Sequence, residues 1–101
     1  MTETVAPPRV EESVRPARPP LHKVVLVNDH YTPREFVVRV LRAEFRMGEG
    51  QARRVMMTAH QRGSCVVAVF TREVAEEKAT RATDLARREG YPLLFMTEPE
   101  E

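Results

Sequence analysis

The sequence predicts an α+β domain, a three-stranded antiparallel sheet packed against three helices in the order β-α-α-β-α-β. Three observations carry that expectation. Short apolar runs rich in β-branched or aromatic residues fall at 24–27, 66–70 and 91–96, the length and composition of strands. Between them, small and apolar residues recur at i, i+3, i+4 and i+7, the spacing of a helix with one buried face. Glycine and proline stand at the joins, where chain reversals need them.

The elements follow in order. Val24-Val25-Leu26-Val27 reads as the first strand and stops at Asn28-Asp29, ordinary turn formers able to bond their own backbone. Thr32-Pro33-Arg34-Glu35 reads as a capping box, with Thr32 at the cap, Pro33 at the first helical position and Glu35 at the third. The helix it opens places Val37, Val40, Leu41 and Phe45 on one face and ends near Met47-Gly48. A second helix from about Glu49 buries Ala52, Val55, Met56 and Ala59 and ends at Gly63. After the strand at 66–70, Thr71 caps a third helix whose buried face is Ala75, Ala79, Ala82 and Ala86, side chains small enough to lie close to a sheet. Glu73 in its first turn and Arg87 and Arg88 in its last suit the helix dipole. Gly90 stops it, and Pro92 sets the last strand, 91–96, at a sheet edge.

Length and composition bound the function. At 101 residues there is one domain. A core of this size leaves no cleft between subdomains. Residues 1–20 hold Pro7, Pro8, Pro16, Pro19 and Pro20 among charges and few large apolar groups, so they form a disordered extension. The folded core spans 21–97, and 98–101 is a solvated acidic tail. Sixteen basic residues, 14 of them Arg, stand against 15 acidic ones, so no global field draws nucleic acid or a membrane surface. One cysteine excludes an internal disulfide and fits a reducing compartment, here the cytoplasm. No apolar stretch is long enough for a transmembrane helix.

Catalytic chemistry finds no support. His22, His30 and His60 show no metal-ligand spacing, and the four glycines form no phosphate loop. Cys65 sits within an apolar run, the place of a small buried hydrophobe rather than an activated thiol. Neither enzyme, metal nor cofactor is expected. On its own, His60 near a helix C-terminus reads as a dipole-favoured surface residue, and Met56-Met57 as core filler.

The joint pattern says more. KVVLVNDHYTPREFV, then MTAHQRG, then VFTREVAEEKA, then YPLL, in this order across residues 22–96, resembles the ClpS family of N-degron adaptors. That family's fold, similar to the C-terminal domain of the ribosomal stalk protein, agrees with the order of elements above. The resemblance implies a monomeric module that binds the free α-amino group and bulky first side chain (Phe, Tyr, Trp or Leu) of a substrate N-terminus. It then hands the substrate to the ClpAP unfoldase-protease. By the resemblance Asn28, His60 and His30 hold the α-ammonium, and Val27, Thr32, Arg34, Val37, Met56, Ala59 and Leu93 form the hydrophobic pocket. Glu73 and Lys78 dock on the N-terminal domain of a ClpA-type AAA+ unfoldase.

Two positions depart from the family pattern. A second acid normally follows Asn-Asp where this chain has His30, and a methionine normally follows Thr-Pro where it has Arg34. A neutral imidazole offers one acceptor and no negative charge, so the departures imply weaker amine binding or a narrower set of first residues. They also imply affinity that falls in acid, since histidines ordinarily become cationic near pH ~6.5. Two other readings compete: a ribosome-associated or RNA-binding domain using Arg39, Arg42, Arg46, Arg53 and Arg54, and a thiol enzyme using Cys65.

Overall fold

A computed structural model describes residues 19–100, so the expected N-terminal extension falls almost wholly outside the described residues. The elements are β1 (Leu21–Val27), α1 (Arg34–Phe45), α2 (Glu49–Arg62), β2 (Ser64–Thr71), α3 (Arg72–Arg88) and β3 (Leu94–Pro99), the order read from the sequence. The sheet runs β2-β1-β3 with both pairings antiparallel.

The apolar β1 run lies at the centre because both its neighbours need it. Val24 and Leu26 are fully buried in one core with α1, α2 and α3, joined by Phe95 from β3 and Val67 from β2. A bulge in β2 lets this sheet serve that core. Val24 pairs with Ala68 and Val25 with Val66, so Val67 is the extra residue, and both Val67 and Ala68 contact the core. The alanine face of α3 is as expected: Ala75, Ala82 and Ala86 are fully buried and Ala79 nearly so. Thr83 on the same helix reaches the β3 backbone, its hydroxyl accepting the Phe95 N–H at 3.0 Å.

Several boundaries move, each for a local reason. Pro33 is the N-cap of α1, with extended ψ 141, and no side chain caps the helix; Thr32 is already committed elsewhere, so no capping box forms. Thr71 likewise occupies the α3 N-cap without a side-chain hydrogen bond. Helix α1 ends at Phe45 because Arg46 turns left-handed at φ 57, and its buried face also takes in Phe36 and Val38. Strand β3 starts later than expected, at Leu94, and runs on to Pro99. The reason is β1, which begins at Leu21 and offers partners to the last residues: Lys23 faces Glu98 and His22 faces Pro99. Glu98 and Pro99 are therefore strand, and the Glu100 N–H closes the pairing on the Leu21 carbonyl at 2.9 Å.

Candidate functional site

Everything at the site hangs from the end of β1. Past Val27 the chain must turn, and Asp29 makes the turn. One carboxylate oxygen accepts the Tyr31 N–H at 2.8 Å and the Thr32 N–H at 2.7 Å, while the other accepts the Thr32 hydroxyl at 2.9 Å. Burial alone would push this carboxyl up. The hydrogen bonds from Thr32 and Tyr31, helped by the charge of His30, outweigh burial and hold it below the ordinary 3.8. A carboxyl depressed on folding stabilises above its unfolded pKa, and the gain is lost as pH falls through the folded one. Asp29→Ala should therefore cost about 1–2 kcal/mol at neutral pH, the typical worth of a lost cap or small hydrogen-bond set. In urea melts the gap from the native chain should narrow below pH ~3.8 as the native carboxyl protonates.

The second support comes from α2. Gly63 ends it in the left-handed region at φ 96, with its N–H on the Ala59 carbonyl at 2.8 Å. A side chain at that φ is strained whatever the space around it. The turn presents the Gly63 carbonyl to the Asn28 N–H at 2.9 Å, so the last turn of α2, with His60, is tied to the end of β1.

Between these supports lies a cavity of about 240 Å3 lined by Leu26, Asn28, Asp29, His30, Thr32, Arg34, Val37, Met56, Ala59, His60 and Leu93. Its deep wall is apolar: Leu26, Val37, Met56, Ala59 and Leu93 are all buried. Its mouth is polar, with His30, Arg34 and His60 exposed and Asn28 half-buried. An apolar cavity of ~150 Å3 accommodates benzene, so this one has room for a single large side chain with polar groups at its entrance. Across the mouth the Arg34 guanidinium lies 3.0 Å from His60 Nε2.

The structure thus brings together nine of the ten residues expected at amine site and pocket. The exception is Val27, which does not line the cavity; successive residues of a strand face opposite ways, and Leu26 takes that place. Asp29 is the other lining residue not expected. Its sequence signal was the turn itself, a carboxylate two and three residues before N–H groups it can accept.

The remaining candidates lie elsewhere. Glu73 and Lys78 on α3 are not at the cavity; Glu73 is exposed, whereas Lys78 is half-buried, donating to the Glu44 carbonyl at 3.1 Å over the Phe70 ring. Burial pushes the Cys65 thiol up against the opposing pull of Arg62, the reverse of what a nucleophilic thiol requires. Among the described residues no cluster of His, Cys, Asp and Glu could hold a metal ion, and no helix is long and apolar enough to cross a membrane.

A larger, more open groove of about 890 Å3 runs along the other flank of α1 past Arg39, Arg42, Arg46 and Arg53. It does not form an uninterrupted basic face. Arg53 is bound to both oxygens of Glu35 at 2.9 and 3.0 Å and to Glu49 at 3.1 Å, and Arg42 approaches Glu49 at 3.7 Å. Carboxylates set among the guanidiniums would repel phosphate, which disfavours the RNA-binding reading.

Known proteins share this fold. The family model described as "ATP-dependent Clp protease adaptor protein ClpS" matches residues 17–96. A Bradyrhizobium diazoefficiens protein named ATP-dependent Clp protease adapter protein ClpS 1 is 63% identical over 101 residues, covering 100% of both chains. Its Rhodopseudomonas palustris namesake is 68% identical over 93 residues, 92% of this chain and 90% of that one. Among solved structures, Agrobacterium tumefaciens ClpS2 bound to L-phenylalaninamide superposes with a TM-score of 0.81 at 63% identity, covering 82% of this chain and 100% of the other.

Proposed function

This chain belongs to the ClpS family of ATP-dependent Clp protease adaptors, and from that premise we propose that its cavity receives the first residue of a substrate protein. The free α-amino group sits at the polar mouth and a bulky side chain in the apolar depth. The observation that carries the reading is the division of the cavity, acceptors at the rim and five buried apolar residues behind them. An ammonium group brings three donors, and removing it from water without acceptors is costly. Asn28 Oδ1 and ring nitrogens of His60 and His30 supply acceptors, while the Asp29 carboxylate contributes negative charge with its oxygens already engaged. Thr32 and Arg34 shape the entrance. Phenylalaninamide, which the Agrobacterium relative binds, has just these parts: a free α-amine and a benzyl side chain.

In this reading the protein catalyses nothing. It works as a cytoplasmic monomer that docks through Glu73 and Lys78 on the N-terminal domain of a ClpA-type unfoldase and delivers its substrate to ClpAP. The imidazole of His30 and the cation of Arg34 narrow the set of first residues it accepts. Because burying Phe is worth about 1.5–3 kcal/mol, a Phe-initiated peptide should bind roughly ten- to a hundredfold more tightly than its Gly-initiated counterpart. Fluorescence anisotropy with the two peptides measures this, and equal affinities would remove the proposal.

A further inference from the structure

We propose that Arg34 reads the second residue of the substrate, favouring Asp or Glu there and disfavouring Lys or Arg. The inference rests on the cavity receiving a substrate's first residue, as above, and adds to it the chemistry of the residue that follows.

The argument starts from how little Arg34 has to hold. Its guanidinium carries five donors, and its hydrogen-bond partner among the described residues is the neutral acceptor His60 Nε2 at 3.0 Å. The acids nearest in sequence are occupied. Both oxygens of Glu35 are taken by Arg53, and both oxygens of Asp29 by Tyr31 and Thr32. Among the described residues no carboxylate pairs with Arg34. The mouth of the site thus holds an exposed cation whose single hydrogen-bond partner among the described residues is a ring nitrogen.

That ring nitrogen is also what the incoming amine needs. A contact from Arg34 fixes the His60 Nε2 lone pair as an acceptor, since arginine has no lone pair to offer in return. An ammonium group seeking the same lone pair competes with Arg34 and displaces it. With the first side chain filling the cavity, its α-carbon lies at the mouth, and the next α-carbon follows at about 3.8 Å. The displaced guanidinium therefore stands beside the second residue. A carboxylate there replaces the lost partner with a planar, bidentate one and offsets the repulsion between Arg34 and the ammonium. A Lys or Arg there adds a third cation to the mouth.

The test is anisotropy with four peptides sharing one sequence: Phe-Glu, Phe-Ala, Phe-Lys and N-acetylated Phe-Glu. Exposed ion pairs are worth up to about 1 kcal/mol, so the native chain in low salt should prefer Phe-Glu to Phe-Ala by roughly two- to fivefold. Phe-Lys should rank last, and the spread should shrink at about 1 M salt. Arg34→Met should erase the order and raise affinity for Phe-Ala, because the competitor for His60 is gone. Arg34→Glu should reverse the order, and Arg34→Lys should preserve it in weaker form. Equal binding of Phe-Glu and Phe-Lys by the native chain overturns the inference while leaving the adaptor reading intact. The same holds if their order survives in Arg34→Met. If none of the free peptides binds, both fall together. If acetylated Phe-Glu binds as well as the free peptide, the preference is a general surface charge effect and not a reading of the second residue.

Discussion

Acetylating the α-amine of a Phe-initiated peptide should weaken its binding by at least about a hundredfold, the largest change expected for this protein. The side chain, and with it the apolar term, is untouched. What changes is the mouth of the cavity. In the proposed binding mode the free ammonium gives charge-assisted hydrogen bonds to Asn28 Oδ1 and to a ring nitrogen of His60, each worth about 1.5–3 kcal/mol. The acetamide has no charge and one N–H, so at least one acceptor is left facing an apolar methyl group. Two lost bonds of that size exceed ~2.7 kcal/mol, a hundredfold in affinity. His60→Ala should reproduce part of the loss, about tenfold, since it removes one acceptor. Asn28→Ala should cost a similar amount, since it removes the other acceptor while leaving the backbone N–H on the Gly63 carbonyl at 2.9 Å in place. Isothermal titration of both peptides against the native chain decides the matter. Comparable affinities for free and acetylated peptides would mean that the polar mouth does not hold an amine.

The residues of that mouth show how far the sequence could be read. Asn28 and His60 lie on separate elements, and no local cue says that they meet; the likeness of VLVND and MTAHQRG to one family is what pairs them. The structure supplies the cause in Gly63, whose left-handed turn brings the end of α2 back to the end of β1. The helices were legible because their patterns are periodic, down to the four alanines of α3 that are buried as expected. Val24-Val25-Leu26-Val27 is apolar throughout, so nothing in the run tells Leu26, which lines the cavity, from Val27, which does not. A run without alternation cannot say which residues face the cavity and which the other side of the sheet. The capping box failed for a different reason. Thr32 and Glu35 have the right spacing, but both are engaged elsewhere: Thr32 by the Asp29 carboxylate three residues before it, whose turn competes with the cap, and Glu35 by Arg53 from the neighbouring helix, which local sequence does not show. Glu98 and Pro99 have the composition of a solvated tail, yet they belong to β3. Their place in the sheet is dictated by β1 extending to Leu21, a pairing that composition does not encode.

Ala82→Leu should destabilise the fold by about 1–3 kcal/mol, the usual cost of overpacking a well-packed core. Ala82 is fully buried on the face of α3 that meets the sheet, and the helix is fastened there by the Thr83 hydroxyl on the Phe95 N–H at 3.0 Å. A leucine has no open side to turn to, so either α3 must lift, breaking the Thr83 contact, or β3 must move outward. At roughly 4–8 °C per kcal/mol for a domain of this size, the melting temperature should fall by about 5–20 °C. The neighbouring Thr80→Leu, at an exposed position, should change stability by no more than ~0.5 kcal/mol. Binding separates the two ways of relaxing. Leu93, in the cavity wall, immediately precedes β3, so outward movement of the strand should weaken Phe-peptide affinity in the folded fraction, whereas a lifted α3 should leave it unchanged. A melting temperature within 2 °C or so of the native chain would show that the alanine face is loosely packed, contrary to its complete burial.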